Sequence, residues 1–227
     1  VEMFDRDRGR LHDCRQRLDV MPLGSGALAG SNYPVDRRYT AALLEFPAVT
    51  QNSLDAVSDR DAVVETLSAL SLIMMHLSRL SEELILWASQ EFRYVDLPDT
   101  FCTGSSMMPQ KKNPQALEYA KSAAAHVTGA LTTVLACSKN TSFGDVNDGV
   151  TAPNVPALEA LDRTRHTIAV MDGVLATMSV RPEAMRHAAA ASPIPPPIPL
   201  MRRWIPLPGD SSAIWLNGSP AIPAQNR

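Results

Sequence analysis

Residues 104–114, GSSMMPQKKNP, concentrate polar groups that suit the binding of an anion. The glycine that opens the segment permits backbone angles that other residues avoid. Two hydroxyls, two ammonium groups and an amide follow, carried by Ser105, Ser106, Lys111, Lys112 and Asn113. A helix that begins at Asn113 and Pro114 adds the positive end of its dipole. This combination favours a carboxylate or a phosphate, although composition alone is equally consistent with a surface loop before an ordinary helix.

The elements that position this segment are predicted to be helices. The longest periodic stretch covers residues 58–88, where apolar residues recur in steps of three, four or seven. Because its apolar stripe is wide, we expect this helix to be buried inside a bundle. His76 lies within it and is predicted to be a packed or surface histidine rather than a catalytic one. A second long helix is expected at 113–137, with a face rich in alanine, and a third at 157–178.

Shorter helices are predicted around these three. Residues 1–18 are typical of a polar amphipathic helix, and Asp36 is suited to cap a short helix that ends near Phe46. The Gly-rich segment 22–34 does not follow a strand, so we do not expect it to cradle a phosphate. Strand patterns longer than a few residues are absent from the sequence. The predicted fold class is therefore all-α.

Composition excludes several classes of function. Apolar residues make up 45% of the 227, which allows a packed core, and a net charge of −3 argues against a nucleic-acid partner. No uninterrupted apolar run is long enough to predict a membrane span. Three scattered cysteines suit reduced thiols in the cytoplasm. Because Val1 is not methionine and a helical pattern starts at once, we expect the chain to be cut at its front.

The end of the chain differs from the rest. Residues 193–227 hold nine of the 18 prolines, a composition that forms neither helix nor regular strand. We therefore divide the chain into a helical-bundle domain at 1–190 and a Pro-rich tail at 191–227, which we expect to be disordered or misread sequence. A linker or a Pro-rich ligand for a partner domain is the alternative interpretation of this tail.

Segment 104–114 resembles the signature loop of the fumarase/aspartase superfamily, Gly-Ser-Ser-x-Met-Pro-x-Lys-x-Asn-Pro, and matches every fixed position. The segments 22–30, 52–61 and 76–87 are similar to the argininosuccinate lyase branch of that superfamily. The resemblance implies a long-helix bundle, here incomplete at its N-terminus, that assembles as a homotetramer. It also implies anti elimination of an amine from an N-substituted aspartate, with release of fumarate and with neither a cofactor nor a metal.

The same resemblance implies roles for individual residues. Removing a proton next to a carboxylate creates an aci-carboxylate with two negative charges, which needs preorganised donors and a cation. Ser105 matches the catalytic base of the family, and Lys111 matches a residue that holds this charge. We expect Lys112 to matter less, provided that it faces solvent. The remaining matches are Ser106, Met108 and Asn113, which are expected to contact the substrate or shape the loop, and Glu118, which is expected to orient the family's histidine.

Two differences from the family keep alternatives open. The resemblance implies a site built from three segments of three subunits, and the two other segments are expected before Val1. Residues 140–156 also differ from the run that helps argininosuccinate lyases hold the arginine part, with Phe143 at the place of a tyrosine. The parent protein is therefore expected to be an argininosuccinate lyase or a lyase for another N-substituted aspartate. A non-catalytic helical protein of the same fold and a Pro-rich interaction module are the alternatives, and this chain alone is expected to be inactive.

Overall fold

Three long helices pack side by side in the computed structural model, which describes residues 1–191. They are α4 (Asp61–Ala88), α5 (Gln115–Ser138) and α7 (Asn154–Thr177). Each buries a seam of apolar and small side chains, and α5 packs against both of the others. Alanines at 120 and 124 of α5 let the neighbouring backbones approach closely. The prediction of an all-α bundle with three long helices is confirmed for the described part of the chain.

The other elements are short and lie around this bundle. The further helices are α1 (Glu2–Leu18), α2 (Arg37–Leu43), α3 (Ser53–Ser58), α6 (Asn147–Val150) and α8 (Pro182–Ala191), with a 3₁₀ turn at Asp99–Phe101. Six strands of two residues form three pairs. These are β1 (Val20–Met21) with β2 (Ala48–Val49), β3 (Val95–Asp96) with β6 (Ser179–Val180), and β4 (Thr103–Gly104) with β5 (Lys112–Asn113). Only the first pair is parallel.

The predicted helices are present, and several of their boundaries differ from the prediction by a few residues. The side chain of Asp36 accepts hydrogen bonds from the N–H groups of Arg38 and Tyr39, as expected of a cap, although α2 ends at Leu43. Asn113, in contrast, does not cap α5. Its backbone belongs to β5, and α5 begins only at Gln115 without a side-chain cap. The loop expected at 138–156 also contains the single-turn helix α6, and α7 starts three residues before its predicted position.

A buried polar pair joins α1 to α4. His76 Nδ1 lies 2.6 Å from Asp7 Oδ2, and both side chains are buried. Arg10 donates to the other carboxylate oxygen at 2.7 Å, and the ring of Phe4 meets the imidazole edge-on. The interpretation of His76 as a packed histidine is confirmed.

Helix α4 is long and apolar enough, by length and composition alone, to cross a membrane. Its apolar residues are explained by the bundle, since they pack against α1, α5 and α7. The expected Pro-rich tail at 191–227 lies outside the described residues from position 192 onward.

The buried pair generates a test of how α1 is held. We expect Asp7→Ala to lower the free energy of unfolding by about 1–3 kcal/mol, because His76 loses its partner in a buried position. Urea denaturation followed by circular dichroism measures the change. Asp5→Ala is the control, since Asp5 is exposed on the same helix. Equal midpoints for the two variants would contradict a stabilising role for the pair.

Candidate active site

The predicted anion-binding segment forms the tip of a β-hairpin immediately before α5. Thr103 pairs with Asn113, and Gly104 pairs with Lys112 in the antiparallel register of β4 and β5. The Lys111 N–H donates to the Met108 carbonyl at 3.0 Å and closes the tip. We call residues 103–113 the signature hairpin. Its backbone pairing gives the segment a defined shape instead of that of a free loop.

Ser105 is the best-placed hydroxyl in this hairpin. Its Oγ accepts hydrogen bonds from the N–H groups of Met107 at 3.3 Å and Met108 at 3.2 Å. The residue is half-buried, whereas Ser106 beside it is exposed. Two N–H dipoles directed at one oxygen favour negative charge on that oxygen. The geometry therefore suits a serine that gives up its proton.

The two lysines of the hairpin have different surroundings. Lys112 Nζ lies 2.7 Å from Asp99 Oδ1 and 3.6 Å from Asp96 Oδ1. The hydrogen bond to Asp99 raises the pKa of Lys112, so this ammonium group stays charged. Lys111 is exposed and forms no ion pair within residues 1–191. Lys112 is thus solvent-exposed but paired with two carboxylates, which leaves Lys111 as the hairpin cation without an ion pair to the described residues.

The remaining predicted residues lie close along the chain, and no hydrogen bond or ion pair joins their side chains in the described part of the chain. Met108 is partly exposed at the hairpin tip, and Asn113 is half-buried at the end of β5. Glu118 lies in the first turn of α5 with an exposed side chain. It forms no hydrogen bond or ion pair with the described residues, so it is available to a group from elsewhere.

Cys102 precedes the hairpin and is half-buried. Burial raises the pKa of its thiol, even though the ammonium group of Lys112 acts in the opposite direction. The thiol therefore stays protonated near neutral pH and is unsuited to act as a nucleophile.

Sequence reasoning missed the carboxylates that hold Lys112. Asp96 and Asp99 come from β3 and the 3₁₀ turn, 16 and 13 positions before the lysine. No motif in the sequence connects them to the signature segment, because ion pairs over such separations depend on the tertiary fold. The only available signal is the local enrichment in acidic residues at 96–99.

The Gly-rich segment 22–34 and the 140–156 run lie at the opposite end of the bundle from the signature hairpin. In the Gly-rich segment, Gly26 has a φ of +61° and a Cβ there would lie 2.3 Å from the Gly30 carbonyl oxygen. The segment turns back on itself, and its side chain Leu28 lies next to Gly144 in the 140–156 run. Helix α5 separates this end from the signature hairpin, and its 24 residues span about 36 Å.

A groove of about 640 Å³ runs along the flank of α5 and α7. Its charged and aromatic lining residues are Tyr119, His126, Glu159, Asp162, Arg163 and His166. Within residues 1–191, no three histidine, cysteine, aspartate or glutamate side chains are grouped as a metal site requires.

Comparison with known proteins identifies relatives of this chain. A family model described as "Lyase" matches residues 1–129. The chain is 48% identical to an argininosuccinate lyase of Pelobacter propionicus over 189 residues, which covers 83% of this chain and 41% of that protein. It is 52% identical to an argininosuccinate lyase of Desulforamulus reducens over 188 residues, again 83% and 41%. The chain thus spans about two fifths of the length of the curated relatives it matches.

Solved structures share the fold. An EDDS lyase in complex with formate superposes with a TM-score of 0.74 at 33% identity, covering 82% of this chain and 36% of that one. A class II fumarase from Schistosoma mansoni superposes with a TM-score of 0.70 at 16% identity, covering 83% and 44%. The second likeness concerns the fold alone.

The geometry around Ser105 can be tested without any assay of activity. We expect Ser105→Ala to speed hydrogen exchange of the Met107 and Met108 amides about fivefold, because each loses an acceptor worth about 1 kcal/mol. Exchange of backbone amides followed by NMR measures this. Ser106→Ala is the matched control, and an equal effect of both variants would contradict the assigned hydrogen bonds.

Proposed function

Because this chain belongs to the lyase family whose model matches residues 1–129, we propose that it forms part of a carbon–nitrogen lyase that converts argininosuccinate into arginine and fumarate. The observation that carries the proposal is the Ser105 oxygen, which accepts two backbone N–H groups in a hairpin that also presents Lys111, a cation with no ion pair to residues 1–191. The identity to curated argininosuccinate lyases, 48% and 52%, supports the choice of substrate. The corresponding pathway is arginine biosynthesis.

Ser105 acts in this proposal as the general base. Its deprotonated oxygen takes the proton from the substrate carbon next to a carboxylate, and the C–H electron pair moves into the carboxylate to give the aci-form. That pair then forms the carbon–carbon double bond of fumarate, while the C–N bond breaks and its electrons leave with the amine. A serine is a weak base at its ordinary pKa, so the reaction depends on the N–H groups of Met107 and Met108 that stabilise the oxyanion.

Lys111 and Asn113 are proposed to hold the substrate carboxylates. A doubly charged intermediate gains most from a cation that is not already neutralised, and Lys111 meets this condition within the described part of the chain. Asn113 offers an amide donor from the neighbouring strand position. Ser106 and Met108 are proposed to line the same pocket from the hairpin tip, where both side chains are exposed.

Glu118 is proposed to orient a histidine that comes from another segment. Its carboxylate is exposed one turn into α5 and is free of partners within residues 1–191. The described histidines do not supply this partner through any hydrogen bond, and His76 is already bound to Asp7. A carboxylate beside an imidazole fixes its tautomer and raises its basicity.

A lyase for a different N-substituted aspartate is the second candidate. The structural likeness to an EDDS lyase, at 33% identity, favours keeping it. The amine half of the substrate is proposed to contact the 140–156 run, where Phe143 is exposed. The hairpin chemistry is the same for both candidates, so this run decides between them.

Assembly into a homotetramer is proposed because the candidate segments cannot meet in one copy. The signature hairpin and the 140–156 run lie at opposite ends of α5, about 36 Å apart. Helix α7 also carries exposed apolar side chains along one side, at Leu158, Leu161, Ile168 and Leu175. Such an exposed apolar stripe is suited to pack against another copy of the chain. We further propose a cytoplasmic location, supported by three free thiols at Cys14, Cys102 and Cys137.

The decisive experiment is a chimera in which residues 1–191 replace the matching segment of the Desulforamulus reducens relative. We expect it to release fumarate from argininosuccinate, measured by ultraviolet absorbance, and not from other N-substituted aspartates. Ser105→Ala should lower the turnover number by roughly 10²–10⁴-fold, since the base is lost. Gln110→Ala is the control at the hairpin tip. A Ser105→Ala variant with more than about a tenth of the parent turnover would contradict the assigned base.

The chain of 227 residues alone is expected to self-associate and to show no lyase activity. Its hairpin is open to water, as the 88% exposure of Met107 shows, and Glu118 has no histidine partner among residues 1–191. Sedimentation velocity measures the association, and Leu161→Glu should weaken it because a charge enters the apolar stripe. Arg38→Glu, exposed on α2, is the matched control. Fumarate release by the purified chain would contradict the need for further segments.

A further inference from the structure

Lys112, in strand β5 of the signature hairpin, belongs to a cluster of charged side chains. Its Nζ is 2.7 Å from an oxygen of Asp99 and 3.6 Å from an oxygen of Asp96. Arg181, which follows β6, lies 3.4 Å from the other oxygen of Asp96. Four separate elements of the chain therefore meet through two carboxylates and two cations.

The two carboxylates are anchored to the bundle rather than to the hairpin. Asp96 belongs to β3, which pairs with β6, and the Arg181 N–H donates to the Tyr94 carbonyl at 2.8 Å. Asp99 begins the 3₁₀ turn that ends at Phe101. The Phe101 ring packs on α7 at Gly173, where a Cβ would lie only 2.7 Å from its tip. The backbone of both acceptor residues is thus attached to the bundle, and the ion pairs themselves lie at the surface, where the side chains of Asp99 and Asp96 are 93% and 51% exposed.

The backbone of Lys112 is coupled directly to the serine turn. Lys112 pairs with Gly104 across the hairpin, and Gly104 immediately precedes Ser105. Asn113 follows Lys112 in the same strand and pairs with Thr103. Fixing Lys112 therefore fixes both the start of the turn and the strand that follows Lys111.

We propose that Lys112 is a positioning residue, which ties the signature hairpin to the bundle through Asp96 and Asp99 and so sets the placement of Ser105 and Lys111. Its catalytic part rests on the proposed function. The ammonium group stays charged over the working range of such an enzyme, since the hydrogen bond to Asp99 raises the pKa of Lys112. Misplacement of reacting groups by about 1 Å costs about 10²-fold in rate, which makes the anchoring of this hairpin consequential.

Direct binding of substrate by Lys112 is the rival role, and Asp99→Asn separates the two. If Lys112 bound the anionic substrate, the loss of its competing carboxylate would lower KM and leave kcat intact. If Lys112 positions the hairpin, Asp99→Asn and Lys112→Met weaken the same anchor. Both variants should then lower kcat by about tenfold with little change in KM. Lys112→Arg should keep most of the parent kcat.

The test has one arm on the full 227-residue chain and one on the chimera. In the chain, Lys112→Met should speed hydrogen exchange at Met107 and Met108 with an unchanged unfolding midpoint. Lys121→Met, which removes an ion pair with Glu82 on the bundle, is the matched control. In the chimera, kcat and KM are measured for each variant with argininosuccinate.

Each outcome decides the inference. Unchanged exchange at both amides, or a lower KM with full kcat in Asp99→Asn, would overturn it. A chimera that releases no fumarate would instead count against the proposed function, and the exchange arm would still decide whether Lys112 anchors the hairpin. Faster exchange in Lys112→Met, together with a loss of kcat that the Lys112→Arg variant largely avoids, would support both the inference and the proposed function.

Discussion

The packing of α5 between α4 and α7 is the constraint on which the candidate site depends. Buried side chains from all three helices form one cluster, and each fully buried aliphatic side chain contributes about 1.5–3 kcal/mol. The signature hairpin leads directly into α5, and the 3₁₀ turn before it rests on α7 through Phe101 and Gly173. The packing of the bundle therefore positions the hairpin independently of its polar contacts.

The adjacent lysines of the hairpin differ in their charged neighbours and therefore in their expected roles. Asp96 and Asp99 pair with Lys112, whereas Lys111 has no ion pair to the described residues and stays available to an anionic ligand. A similar division separates the two serines, since only Ser105 receives two backbone N–H groups. The two serines and the two lysines of the segment thus have different roles, which are set by the backbone pairing of the hairpin and by the carboxylates of Asp96 and Asp99.

The long helices could be predicted because their apolar spacing is a local property of the sequence. Asp36 was also predictable as a cap, since capping involves only the next three residues. Asn113 has the same capping chemistry, but its backbone is engaged with Thr103, and this pairing displaced the helix start. The ion pairs of Lys112 and the contact of Phe101 with Gly173 join segments that are distant in sequence. No local sequence pattern could therefore predict them.

The buried seams of the bundle have a consequence for how this architecture can change in length. In α7 the seam residues are Ala160, Thr164, Thr167, Met171 and Val174, in alternating steps of four and three. The seam of α4 follows the same steps from Leu67 to Leu84. This is a heptad repeat, which favours a left-handed supercoil of nearly parallel axes. Inserting one residue would turn everything beyond it by about 100° and break the seam. Whole heptads preserve the seam, so inserting or removing seven residues changes the separation between the two ends by about 10 Å without disturbing the packing.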